Sequence, residues 1–272
     1  MKLYFAAINL SEYKVVRRSN EKALMSYFYL KDKTCSAIRN DKEKIFIDSG
    51  AFSAFSSSKQ IDIDEYITFL KTNHDITEVR AILDVIGDWK STRKNLEHME
   101  KAGIDCLPVF HYGSPLKYLQ ELVQKYDYIA FGGLVPMAKN RAETKKWLDA
   151  CWLVIYQNTI KKGKPLTKVH GFGVNAYWSW QTYPWYSVDA NSWKQSAFFG
   201  SFTFSSQKIK YNSRNFLNEA KVTKRLKVHN SLGKLEKRQE RENLFELQIK
   251  DYSQAAKNIT ELWTARGITF ED

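Results

Sequence analysis

Short apolar runs alternate with longer amphipathic stretches along most of this chain. The runs fall at residues 3–7, 45–48, 80–84, 106–110, 128–131, 168–172, 186–189 and 197–203. Runs of this length between turn signals have the pattern of strands buried on both faces. The intervening stretches have helical spacing. Residues 64–71 carry Tyr66, Ile67 and Leu70 on one face, and residues 88–102 carry Leu96 and Met99 and stop at Gly103. Residues 115–126 and 141–161 follow, the second ended by Gly163. Asp88 stands where the N-cap of its helix is needed. Eight strands alternating with helices predict an α/β fold with a parallel sheet closed as a (β/α)8 TIM barrel. An open doubly wound sheet is the alternative.

The pattern changes near residue 221. Residues 221–227 and 234–241 are dense in mixed charge, with Ser231-Leu232-Gly233 between them. This predicts two parts, a barrel domain over 1–220 and a basic helical extension over 221–272. The extension would pack on the barrel through Leu235, Leu244, Leu247 and Ile249.

Composition narrows the picture. At 272 residues the chain has the size of one barrel. No apolar stretch approaches the length of a membrane span. The N-terminal run is too short for a signal segment and reads as a strand. Three scattered cysteines, Cys35, Cys106 and Cys151, have no metal-ligand spacing, so they predict reduced thiols in a cytoplasmic protein and no bound zinc. The net charge of +12 favours a polyanionic partner, against the plainer reading of a solubilising surface. Aromatic residues crowd between Tyr177 and Tyr186, where Trp178 and Trp180 are candidates to stack on bases. Lys208, Lys210, Arg214, Lys221, Lys224 and Arg225 are candidates to hold phosphates.

In a barrel, chemistry gathers at the C-terminal ends of the strands. Here those ends read Asp48-Ser49-Gly50-Ala51-Phe52, Leu83-Asp84-Val85, Phe110-His111-Tyr112-Gly113, Phe131-Gly132-Gly133-Leu134, His170-Gly171-Phe172-Gly173 and Val188-Asp189-Ala190. A single strand-end Asp could be a helix cap. Three such carboxylates converging on one mouth are harder to explain that way, because buried carboxylates are unfavourable unless paired or used. Two of them across a pocket can act as nucleophile and acid/base at an anomeric carbon.

Taken together and in order, these segments resemble the tRNA-guanine transglycosylase family and its DNA-modifying relatives, which insert 7-deazaguanine bases. The resemblance spans roughly residues 45–193. It implies that Asp189 is the nucleophile and Asp48 its acid/base partner. It implies a base pocket in which Asp84 accepts from a guanine-like edge, Gly132, Gly133 and His111 offer donors, Ser49 and Gly173 line the walls, and Phe52 and Phe172 sandwich the ring. The target nucleotide would have to leave its stack to enter. No cofactor is implied, only a free 7-deazaguanine base as co-substrate. The Cys-x-Cys-x-x-Cys and His zinc site of the tRNA enzymes has no counterpart here, and Ala190-Asn191-Ser192-Trp193 follows the nucleophile position. The compact DNA-directed members, often found in phages and in modification or defence clusters, are therefore the nearer match, and DNA a nearer partner than tRNA.

Several functions follow from this site. Base exchange in DNA comes first. Excision of a base without replacement, by a DNA glycosylase, is the second, and exchange in tRNA the third. A metal-dependent hydrolase would need a His-x-His or a carboxylated Lys at the first strand end, where Ala6-Ala7-Ile8-Asn9 offers neither. An aldolase would need a strand-end Lys, and none is found. A barrel that only binds nucleic acid would not need Asp48 and Asp189 together.

If the tail holds phosphates, affinity for DNA should fall steeply with salt. Changing Lys221, Lys224, Arg225 and Lys227 to Gln should flatten the log–log slope by roughly 0.7–0.9 per contact removed. Fluorescence-anisotropy titrations at several salt concentrations measure this, and an identical slope in both proteins would assign the tail a solubilising role.

Overall fold

A computed structural model describes residues 1–134, 140–163, 166–194, 201–204, 207–210 and 237–270. Its centre is an eight-stranded, all-parallel, curled sheet. In chain order the strands are β1 (Lys2–Ala7), β2 (Lys22–Ser26), β3 (Ile45–Asp48), β4 (Thr77–Arg80), β5 (Val109–His111), β6 (Tyr128–Gly132), β7 (Lys168–Gly171) and β8 (Ser187–Ala190). Strands β1 to β4 pair in sequence, as do β5 to β8, and β1 pairs with β8, Tyr4 opposite Asp189. The remaining seam lies between β4 and β5. There a parallel bridge joins Ala81 to Leu107, with Leu107 N–H donating to Arg80 O at 2.6 Å and Ile82 N–H donating to Leu107 O at 3.2 Å. The two ends of the sheet thus meet in the manner of a TIM barrel.

Helices lie between the strands: α1 (Leu10–Arg18), α2 (Asp32–Asn40), α3 (Ala51–Ser56), α4 (Ile63–Thr72), α5 (Trp89–Lys101), α6 (Leu116–Lys125), α7 (Arg141–Lys162) and α8 (Tyr177–Thr182). Local signals set their ends. Asp88 caps α5 by accepting from the Lys90 and Ser91 N–H groups, Asp62 caps α4 in the same way, and Gly163 ends α7 in the left-handed region.

One strand departs from the sequence expectation. The run at 197–203 is not the eighth barrel strand. Residues 195–200 lie outside the described residues, and Ser201–Phe204 (β9) pairs antiparallel with Gln207–Lys210 (β10) in a separate two-stranded sheet. The barrel has no place for it, because β1 already pairs with β8. The strand that completes the set of eight is β2, whose apolar stretch is only Ala23-Leu24-Met25 between Lys22 and Ser26. Asp48 therefore sits on the third strand and Asp189 on the eighth. The run at 80–84 is also shifted: the regular ladder of β4 ends at Arg80, and Asp84 lies beyond it.

The long C-terminal helix α9 (Lys237–Ala265) is part of the core rather than a solvated addition. It buries Phe245, Leu247, Ile249, Tyr252, Ala256 and Ile259. Phe245 packs edge-on against Trp193 at 5.0 Å, and the Trp263 indole N–H donates to Trp180 O at 2.8 Å. Leu244 is only half-buried, and Leu235 lies outside the described residues. The turn after β8 is clasped to the first turn of α1 by a buried ion pair, Lys194 Nζ to Glu12 Oε2 at 3.0 Å. Glu12 also accepts from Ile8 N–H and the Asn9 amide, so the buried charge is well partnered. All three cysteines are buried and unpaired. Among the described residues no helix is long and apolar enough to cross a membrane.

Candidate active site

The mouth at the C-terminal ends of the strands holds three carboxyl groups, each supported differently. Asp48 closes β3, and the chain then turns through Gly50 at φ +83° into α3. Only glycine fits at 50, since a Cβ there would collide with Ser26 Oγ and Phe28 Cβ at the end of β2. The turn brings the Gly50 N–H to Asp48 Oδ2 at 3.2 Å and buries Ser49 completely.

Ser49 donates to Asp84 Oδ1 at 3.0 Å, and His111 Nε2 lies 2.8 Å from Asp84 Oδ2. Both oxygens of Asp84 thus have partners before any ligand arrives. His111 ends β5, and its ring lies against the backbone of Gly132 on β6. A Cβ at 132 would stand 2.7 Å from His111 Cδ2. Gly132 therefore makes room for the imidazole rather than for a flat ligand. His111, expected to donate to a base, is turned toward Asp84 instead. Gly133, next in the chain, takes φ +76° at the rim.

Asp189, on β8, is buried. Its Oδ1 accepts from the Gly173 N–H at 2.7 Å. Gly173 adopts φ +66°, so the turn after β7 aims a backbone donor at the carboxylate. Gly173 is thus a support for Asp189 rather than a wall of the base pocket. His170, fully buried on β7, brings Nε2 to 3.5 Å from the same oxygen. Its Nδ1 lies 2.8 Å from Ser187 Oγ, which in turn lies 2.7 Å from the Tyr128 hydroxyl. Sequence reasoning gave His170, Ser187 and Tyr128 no role. The one available signal was the two-residue spacing of Ser187 and Asp189, which puts both on one face of the strand.

The aromatic groups divide. Phe172 is half-buried and rests edge-on against His170 at 4.6 Å and Phe46 at 5.8 Å, forming the floor of the mouth. Phe52 stands on α3, 54% exposed, and makes no ring contact among the described residues. The two do not form a sandwich in this state. Trp180 is not a surface platform. Its face of the short α8 turns inward, it is 1% exposed, and its indole N–H is bonded to Val174 O at 2.8 Å. Trp178 is half-buried, with the Arg141 guanidinium 4.8 Å above its ring. Lys208 and Lys210 lie on β10, whose side chains are outside the described part of the molecule. Arg214, Lys221, Lys224 and Arg225 lie outside the described residues altogether.

Electrostatics single out Asp48. Burial pushes the Asp48 carboxyl up to about 8, and the charges of Asp84 and Asp189 push the same way, against N–H bonds from Gly50 and Ser49. Burial holds His170 below its usual range, so the imidazole is neutral. Among the described residues no group of three or more His, Cys, Asp or Glu is arranged to hold a metal ion. Comparison of the sequence with models of known protein families and with curated proteins gives no match.

The raised Asp48 carboxyl has a stability consequence. Between the unfolded value near 4 and the folded value of about 8, the native state keeps a proton that the unfolded chain releases. The stability tied to that proton is complete below the lower value and is lost as pH rises through the upper one. Asp48→Asn, which cannot ionise, should therefore melt at a higher temperature than the parent at pH 8.5, with the difference shrinking toward pH 4. Thermal melts at the two pH values test this. An Asn variant less stable than the parent at pH 8.5 would mean that the mouth is not crowded with negative charge.

Proposed function

We propose that this protein breaks and remakes the N-glycosidic bond of a nucleotide in DNA, exchanging guanine for a 7-deazaguanine base. The observation that carries the reading is the division of labour at the mouth. One carboxylate, Asp189, is desolvated yet held by a backbone donor, and one carboxyl, Asp48, keeps its proton near neutral pH. A carboxyl that keeps its proton beside a second buried carboxyl is a basis for assigning an acid and a nucleophile. The resemblance of the strand-end segments to the transglycosylase family supports the same assignment.

In this reading Asp189 attacks C1′ and forms an ester as the C1′–N bond breaks. Asp48 gives its proton to the departing base. The incoming base then loses its N–H proton to the Asp48 carboxylate, and its nitrogen displaces Asp189 from C1′. The second step restores both carboxyl groups to their starting state. Asp84, with both oxygens already held, keeps lone pairs that can accept from N1–H and the exocyclic amine of a guanine-like base. The Gly133 N–H is the donor left for the carbonyl edge, since His111 serves Asp84. The excess positive charge suits a polyanionic substrate.

Incubating single- and double-stranded DNA with a free 7-deazaguanine base, followed by nucleoside mass spectrometry, tests the proposal. The parent should place the 7-deazaguanine nucleoside in DNA. Asp189→Asn should lose at least roughly a thousandfold in rate while melting within a few degrees of the parent. Abasic sites without insertion would mean that water takes the place of the incoming base and that the enzyme is a glycosylase. An Asn variant with near-normal turnover would remove Asp189 from the mechanism.

A further inference from the structure

A line of side chains on β6, β7 and β8 runs toward Asp189, hydrogen-bonded as far as His170. It starts at the Tyr128 hydroxyl, passes 2.7 Å to Ser187 Oγ and 2.8 Å to His170 Nδ1, and leaves His170 Nε2 at 3.5 Å from Asp189 Oδ1. The sheet builds this line directly. His170 and Ser187 are register partners on β7 and β8, and Asp189 lies two residues beyond Ser187 on the same face.

We infer that His170 is the positioning residue of the nucleophile, holding Asp189 through an Nε2–H that the Tyr128–Ser187 pair fixes in place. The inference rests on Asp189 being the nucleophile. Its logic is that of donors and acceptors. His170 is fully buried and makes ring contacts with Tyr4, Phe46 and Phe172 at 6.1, 4.6 and 4.6 Å. A neutral imidazole carries one N–H and one bare nitrogen. If the proton sat on Nδ1, the bare Nε2 would face the carboxylate, setting two buried acceptors against each other. With Tyr128 donating to Ser187 and Ser187 donating to Nδ1, the proton sits on Nε2, the nitrogen that faces Asp189. Nε2 is buried and makes no hydrogen bond among the described residues, and Asp189 Oδ1 is the carboxylate oxygen it approaches, at 3.5 Å. At 3.5 Å the contact is long, as catalytic bonds often are before substrate binds.

The consequence is atomic. The Gly173 N–H and the His170 Nε2–H converge on the same oxygen, Oδ1. Oδ2 is left as the atom that attacks C1′. His170 touches no reacting atom, and its effect passes through the orientation of Asp189.

Two measurements decide this. The first does not depend on activity: nitrogen-15 spectra of histidine-labelled protein at pH 7. The parent should show His170 as a neutral, Nε2-protonated ring, and Ser187→Ala should shift it toward mixed tautomers. A Nδ1-protonated or doubly protonated ring in the parent would overturn the inference. The second uses the base-exchange assay. Ser187→Ala and His170→Leu should each lower kcat by roughly tenfold to a hundredfold with KM within about twofold. His170→Gln, which restores an N–H near the Nε2 position, should recover most of the loss. Equal losses in His170→Leu and His170→Gln, with both folded by thermal melt, would reduce His170 to a core residue. If the parent exchanges no base at all, the proposed function fails, while the spectra still judge the relay.

Discussion

Three carboxyl groups in one partly buried mouth repel one another, and the surrounding architecture is organised by that repulsion. Each group is given a different resolution. Asp84 has a hydroxyl on one oxygen and an imidazole on the other. Asp189 has a backbone N–H and a buried imidazole on a single oxygen. Asp48 receives N–H bonds from its own turn and keeps its proton to about pH 8. Desolvation of three anions without such donors would be strongly unfavourable. The donors are therefore as much a part of the site as the carboxylates.

The barrel supplies those donors through positions where a side chain would not fit. Gly50 lets the β3 turn close against β2, and Gly132 leaves space for the His111 ring. Gly173 takes a left-handed conformation that points its N–H at Asp189. Gly50 serves the carboxyl of its own strand, while Gly132 and Gly173 each serve a carboxylate on another. Parallel strands with their C-terminal ends at one face make this convergence possible. The helix α9 and the buried Lys194–Glu12 pair brace the segment directly after β8.

Much of this was legible in the sequence, and the failures have physical causes. Asp48, Asp84 and Asp189 were found because a polar residue at the end of an apolar run stands out against its neighbours. The strand β2 was missed because Ala23-Leu24-Met25 is too short to show a period, and the run at 197–203 took its place. Trp180 was read as a surface platform because composition cannot tell which face of a two-turn helix is buried. His111 and the glycines were assigned to a ligand because sequence gives neighbours along the chain but not across strands. The same limit hid the line from Tyr128 to Asp189, whose members lie 17 and 59 positions apart at its first two links.

The proposed exchange turns on a covalent bond between Asp189 and C1′ of a nucleotide. The direct measurement is the intact mass of the protein quenched in acid after mixing with a guanine-containing DNA oligonucleotide, without an incoming base, followed by peptide mapping. A mass increase equal to the oligonucleotide less its guanine, mapped to Asp189 and absent in Asp189→Asn, is the predicted result. An adduct on another residue, or none while the same preparation exchanges or removes bases, would contradict it.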